Sequence, residues 1–199
     1  MPKFDADLLT LAEVRRLADA CSRRAPTGIR NRALILTLAS AGLRISEGLS
    51  LHPKDYDAAE GILRVQRGKG GRFRVVPLAL PEAADAADRW MDRRLGLGID
   101  RRRPIFCTLQ GRPLLPSYVR AALPRLAARA GIDKRVHPHG LRHFFACSLA
   151  MAHAPLPAIQ AMLGHSNIAT TSTYLQRLAP MEAIDAARAA FRRVLEATV

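Results

Sequence analysis

The stretch from His137 to Tyr174 constrains the fold most, because it alternates helical periodicity with hard breaks. Leu141, Phe144, Phe145, Ser148, Leu149 and Ala152 recur at the spacing of one helix face, which predicts a helix from His139 to about His153. His139 and Arg142 lie one turn apart and project together, so an imidazole and a guanidinium share one target. Pro155 and Pro157 then break the chain, a short helix runs to Leu163, and Gly164 stops it ahead of His165. The segment Ile168 to Leu175 brings Tyr174 close to the start of a final helix. Taken alone, the stretch is a basic phosphate site with a phenol nearby.

Upstream segments supply more helices and a small hairpin. Thr10-Leu-Ala-Glu13 has the form of a capping box, in which hydroxyl and carboxylate satisfy each other's backbone N–H groups. A helix from Leu11 to about Cys21 follows, then a loop over Arg23 to Gly28. A second helix, about Ile29 to Ala41, buries Leu34, Ile35, Leu38 and Ala39, and Gly42 ends it. Ser46-Glu47 opens a further short helix, just past Arg44. Ile62–Val65 and Phe73–Val76 read as strands around the Gly-rich tip Arg67-Gly-Lys-Gly-Gly-Arg72. That tip lacks the pattern of a nucleotide-binding P-loop. By itself it is a solvated basic turn, as Arg44 by itself is a surface arginine.

Pro81 to Leu95 is an Ala-rich helix, and Gly96 to Pro104 a loop holding Arg101, Arg102 and Arg103. Ile105 to Cys107 is a short buried piece. Ser117 caps a helix to about Ala130, in which Pro124 removes a hydrogen bond and kinks or splits the rod. Met181 to Leu195 is amphipathic, with Ile184, Ala187, Phe191, Val194 and Leu195 on one side. These elements predict a mixed α+β fold, mainly α-helical, in a single domain over 1–199 with an extension at 1–9.

Charge narrows the partners. The 31 Lys and Arg outnumber the 17 Asp and Glu, a formal net charge of +14. Such an excess points to a polyanion, with nucleic acid ahead of an anionic membrane surface. Cys21, Cys107 and Cys147 lack metal or redox spacing and read as small core residues of a reducing compartment. The best apolar run, Ala33 to Leu43, is interrupted by Thr37 and Ser40 and is too short to span a bilayer. With no signal-peptide core at the N-terminus, the expectation is a cytoplasmic, nucleoid-associated protein. His137, His139 and His143 invite a metal reading, but no Cys or carboxylate joins them and Arg142 lies among them, so no metal is expected.

At five places the chain resembles the tyrosine recombinase, or phage integrase, family. They are Ala-Gly-Leu-Arg-Ile-Ser-Glu around Arg44, the Gly-Lys-Gly-Gly-Arg hairpin at Lys69 with Val76-Pro-Leu78 after it, His139-Gly-Leu-Arg142-His, Leu163-Gly-His165, and Tyr174. The resemblance covers nearly the whole chain from Thr10. It implies the family's catalytic-domain fold, with a small antiparallel three-stranded sheet. It also implies roles. Tyr174 attacks the scissile DNA phosphate and becomes a 3′-phosphotyrosine. Arg44 and Arg142 hold the non-bridging oxygens. Lys69 protonates the leaving 5′ oxygen, His139 handles the tyrosine proton, and His165 donates to the phosphate. Glu47 and His143 support the site, Glu47 by orienting Arg44 or His139. Arg67, Arg72 and Arg74 face DNA.

The resemblance implies neither ATP nor a metal, because the covalent intermediate conserves the phosphodiester energy. It implies double-stranded DNA as partner, with a tetramer on two synapsed duplexes and a monomer or weak dimer off DNA. Accessory proteins are left open. The helix at 180–199 either docks on a neighbouring protomer or packs on its own chain. Most family members carry an N-terminal helical domain that closes around DNA, and here the catalytic domain is expected without it. A minimal recombinase, a partner-supplied domain and a degenerate copy all fit that expectation. A type IB topoisomerase-like enzyme and a non-catalytic DNA-binding protein stand as alternatives.

Overall fold

The computed structural model describes residues 8–66 and 73–164. Seven α-helices and a small sheet are found there. They are α1 (Leu11–Asp19), α2 (Pro26–Ala41), α3 (Ile45–Ser50), β1 (Tyr56–Asp57), β2 (Ile62–Val65), β3 (Arg74–Pro77), α4 (Pro81–Gly96), α5 (Pro116–Arg129), α6 (Pro138–Met151) and α7 (Leu156–Leu163). The mixed, mainly helical fold expected from the sequence is present.

Helix α2 is the central rod. It is apolar around its whole circumference, with Ala33, Leu34, Ile35, Leu36, Leu38 and Ala39 all buried, and α1, α4 and α6 pack against it. An all-round apolar helix is stable only when neighbours cover every side. It starts at Pro26, earlier than the Ile29 expected, because a proline at the first helical position costs no hydrogen bond. Its end is fixed twice. Gly42 takes the left-handed conformation (φ 60°), and Ser40 accepts hydrogen bonds from Ala79 and Leu80 at the start of α4. Trp90 of α4 is fully buried and donates its indole N–H to the Ile105 carbonyl at 2.7 Å.

The sheet has the order β1-β2-β3, all antiparallel. Leu63 pairs with Val76 and Val65 with Arg74. The third strand, Tyr56–Asp57, was not read from composition alone; it is two residues long. Residues alternate across a strand, so Arg74 lies on the same face as buried Val76, while Val75 between them is exposed.

Other expectations change in detail. The capping box at Thr10 and Glu13 forms as read. Ser117 does not cap α5: Leu115 is the cap residue and Pro116 the first helical one. Helix α5 is not split at Pro124 but is one element from Pro116 to Arg129. Ser148, placed on the buried face of α6, is exposed, and Ala146 and Cys147 are buried instead. Cys21, Cys107 and Cys147 all lie in the interior. Among the described residues no helix is long and apolar enough to cross a membrane. The helix expected after Met181 lies outside the described residues.

Candidate active site

The site begins where α2 ends. Gly42 turns the chain left-handed, and a Cβ there would lie 2.3 Å from the Phe145 ring of α6, so only glycine lets the two elements approach. The turn delivers Arg44 to the N-cap of α3 and Glu47 to its third residue. The Glu47 carboxylate accepts the Arg44 backbone N–H at 2.8 Å, closing the first turn, and the Arg44 Nη1 at 2.9 Å. The spacing Arg-x-x-Glu is therefore a helix-start device that also grips the arginine side chain.

Glu47 is buried, with 3% exposure, and it holds more than Arg44. Arg74, from β3, reaches it end-on with both arms: Nη1 to Oε1 at 3.1 Å and Nη2 to Oε2 at 2.7 Å. Arg142, from α6, brings Nη1 within 3.8 Å of Oε2. Burial alone would raise the Glu47 pKa, but the hydrogen bonds from Arg74 and Arg44 outweigh it and hold the carboxyl below its ordinary 4.5. Three guanidiniums against one carboxylate leave two positive charges in excess, on a patch that buried Glu47 cannot neutralise.

Arg142 is 3% exposed and its orientation is set by backbone. Nη1 donates to the Gly42 carbonyl and Nη2 to the Leu163 carbonyl, each at 2.7 Å. These are two helix-terminal carbonyls, of α2 and α7, which an arginine satisfies well. The guanidinium thus ties together the C-terminal ends of α2 and α7. Arg44, in contrast, keeps 28% of its side chain exposed.

His139 sits in the first turn of α6, on the surface. Its pKa is pushed below 6.5, first by lost hydration and then by the charges of Arg142, His137 and Arg44. That dependence places the imidazole in the field of both arginines expected to share its target. His137 has a part that sequence reading did not assign. It is the N-cap of α6, where its Nδ1 accepts the Gly140 N–H at 3.0 Å and its ring stacks on His139 with centroids 6.4 Å apart. The signal was available: a polar residue followed directly by proline marks a helix start. His143, four residues after His139 on the next turn, lies 3.6 Å from the Cys147 Sγ.

The structure thus gathers Arg44, Glu47, His139 and Arg142 at one place and adds Arg74. Arg74 was expected to face DNA with Arg67 and Arg72. Its side chain is instead 9% exposed, with Nε on the Met162 carbonyl at 2.9 Å and both other nitrogens on Glu47. Lys69, Arg67, Arg72, His165 and Tyr174 lie outside the described residues. Gln66 and Phe73 border the first group and Gly164 the second. Among the described residues no group of His, Cys, Asp and Glu is arranged to hold a metal ion.

The sequence matches the phage integrase family over residues 7–180. It is 35% identical over 187 residues to the tyrosine recombinase XerD of Xanthomonas axonopodis pv. citri (strain 306), covering 87% of this chain and 59% of that protein. It is 38% identical over 168 residues to the tyrosine recombinase XerC of Alcanivorax borkumensis, covering 83% of this chain and 54% of that one. The chain thus spans a little over half the length of these relatives. Among solved structures it resembles the XerA recombinase, with a TM-score of 0.75 at 33% identity over 84% of this chain and 57% of the other. It also resembles the XerH site-specific recombinase bound to its difH substrate before cleavage, with a TM-score of 0.72 at 26% identity over 85% of this chain and 50% of the other.

Proposed function

The chain belongs to the phage integrase family, and from that premise we propose that it is a site-specific DNA recombinase working through a 3′-phosphotyrosine intermediate. The observation that carries the proposal is the convergence of Arg44 and Arg142 on one buried carboxylate, with His139 in their field. The site has the form of a strand-transfer centre.

In this reading the Arg44 and Arg142 guanidiniums bind the two non-bridging oxygens of a DNA phosphate. Arg142 is already oriented by two carbonyls, so little reorganisation is needed when negative charge grows in the transition state. The Tyr174 hydroxyl loses its proton and its oxygen attacks phosphorus. The bond from phosphorus to the 5′ oxygen breaks as the new bond forms, and Lys69 supplies the proton that the leaving oxygen takes up. A phenol has a reference pKa near 10, so it attacks at neutral pH only beside cations and a base. His139, whose pKa is depressed, is neutral at pH 7 and can accept that proton. His165 donates to the phosphate. Attack by a 5′ hydroxyl from another strand reverses the bonding and rejoins the DNA, so the phosphodiester energy is conserved without ATP or a metal.

Double-stranded DNA is the substrate. The formal net charge of +14 supplies the sequence-independent part of affinity. Strand exchange requires two duplexes and takes place in a tetramer; off DNA the chain is a monomer or weak dimer. Its site of action is the cytoplasmic nucleoid.

The test is capture of the covalent intermediate. The full chain is incubated with a pool of nicked duplexes carrying a randomised core, and protein–DNA adducts are isolated under denaturing conditions and sequenced. A wild-type adduct that enriches a defined sequence and vanishes in Tyr174→Phe is the expected result. Tight DNA binding with no adduct from any member of the pool overturns the assignment. Plasmids with one and with two copies of the enriched sequence then separate relaxation from recombination.

A further inference from the structure

Arg74 is spent on none of the roles above. Its side chain is nine-tenths buried, and all three guanidinium nitrogens are engaged with groups of the protein. Its partners come from two distant parts of the chain. Nη1 and Nη2 meet Glu47, which in turn grips Arg44. Nε meets the Met162 carbonyl in the last turn of α7, whose C-cap is Gly164. The fit at that end is tight: a Cβ on Gly164 would lie 2.9 Å from the Arg74 Nη1, and the left-handed φ of 63° already favours glycine there. Arg142 takes the adjacent carbonyl, Leu163. Two arginines therefore satisfy consecutive carbonyls at the end of one short helix, and the same two face one carboxylate.

The position in the sheet adds the rest. Arg74 opens β3 and pairs with Val65, the last residue of β2, so it lies in the terminal pair of that ladder. One side chain thereby joins the β2–β3 pair, the start of α3 and the end of α7.

We propose that Arg74 is a positioning residue for strand cleavage: by bridging Glu47 and the end of α7, to which Arg142 is also tied, it fixes Arg44 relative to Arg142. This rests on the recombinase reading. It assigns Arg74 to the rate of the chemical step and removes it from the set of DNA contacts. The geometry argues for the distinction. The Arg74 fork faces the Glu47 carboxylate inside the protein and its remaining nitrogen faces the Met162 carbonyl, so all three nitrogens are committed to holding two elements together. Lysine cannot replace it, because a single ammonium cannot serve both Glu47 oxygens and the Met162 carbonyl in that fork geometry.

The experiment uses the full chain, the nicked duplex enriched by covalent capture, and Arg74→Lys beside Arg74→Gln. Three quantities are measured: single-turnover adduct formation, DNA affinity over a salt series, and thermal stability, with rates taken well below each variant's melting temperature. The expected result is a fall in cleavage rate of about 100-fold, the scale of a small misplacement of reacting groups, with affinity within about twofold of wild type and the salt slope unchanged. Arg74→Lys keeps the charge, so it provides a folded variant if Arg74→Gln does not fold. Weaker affinity with a salt slope reduced by about one makes Arg74 a phosphate contact and overturns the proposal. Wild-type cleavage rates in folded Arg74→Lys reduce it to a structural charge pair and overturn it too. Absence of an adduct from the wild-type chain instead removes the recombinase reading beneath it.

Discussion

Glu47→Gln is the sharpest probe of the charge cluster, because it changes one atom and leaves the side-chain volume alone. The carboxylate is 3% exposed and accepts four hydrogen bonds: the Arg44 N–H at 2.8 Å, Arg44 Nη1 at 2.9 Å, and Arg74 Nη1 and Nη2 at 3.1 and 2.7 Å. Glutamine offers one acceptor oxygen, and its amide must point donors at a guanidinium. At least one bond to a charged partner is lost, each worth about 1.5–3 kcal/mol. Arg74 and Arg142 also lose their buried counter-charge, and breaking a buried pair costs about 3–5 kcal/mol. These overlap, so the expected loss at pH 7 is about 3–5 kcal/mol, a fall in Tm of roughly 6–20 °C for a chain of this size. Urea unfolding at several pH values is the assay. The folded-state pKa of Glu47 lies below its ordinary 4.5, so its contribution is complete above 4.5 and is lost as pH falls through the lowered value. The gap between wild type and variant must therefore narrow in acid. A variant within about 1 kcal/mol of wild type at pH 7, or a gap that does not depend on pH below 4.5, refutes the hub.

Three further outcomes follow from the same geometry. Gly42→Ala should destabilise the chain by about 2–5 kcal/mol, from left-handed strain and a Cβ placed against Phe145, as read by urea unfolding. His137→Ala removes the side-chain cap of α6 and should cost about 0.5–2 kcal/mol by the same measurement, with His137→Asn recovering most of it. His139 has a depressed pKa, so it binds its proton only below 6.5; the acid limb of single-turnover cleavage should fall below pH 6.5 and flatten in His139→Gln.

Local cues made much of this legible. The capping box at Thr10, the glycines at 42 and 164, and the helical period of α6 are signals complete within a few residues, and each element formed where they stood. Arg44 was found only through resemblance, because one arginine after a helix end carries no local information, whereas the one-turn spacing from His139 already marked Arg142. The misses are of another kind. Ser117 looked like a cap, but Pro116 already fixed the first helical φ one residue earlier. Pro124 looked like a kink or a split, and the split is absent: α5 is one helix, with Leu123 and Leu126 buried on either side of the proline.

Arg74 is the instructive case, since its strand held the answer. With a period of two, the residue two before Val76 must face the same way as Val76, and Val76 is fully buried. Composition argues the opposite: an arginine beside Gly-rich basic residues in a chain of net charge +14 reads as a DNA contact. What decides between them is a partner distant in sequence. An inward arginine needs a buried anion, and Glu47 supplies it from α3. Only the antiparallel register that sets Arg74 opposite Val65, and the left-handed turn at Gly42 that leads into α3, bring the two together. Neither is visible in a window of sequence around Arg74. The same logic explains why one acidic residue matters in so basic a chain. Surface arginines are interchangeable in a long-range field, whereas the arginines around Glu47 are individually aimed, and aim is what phosphoryl chemistry requires.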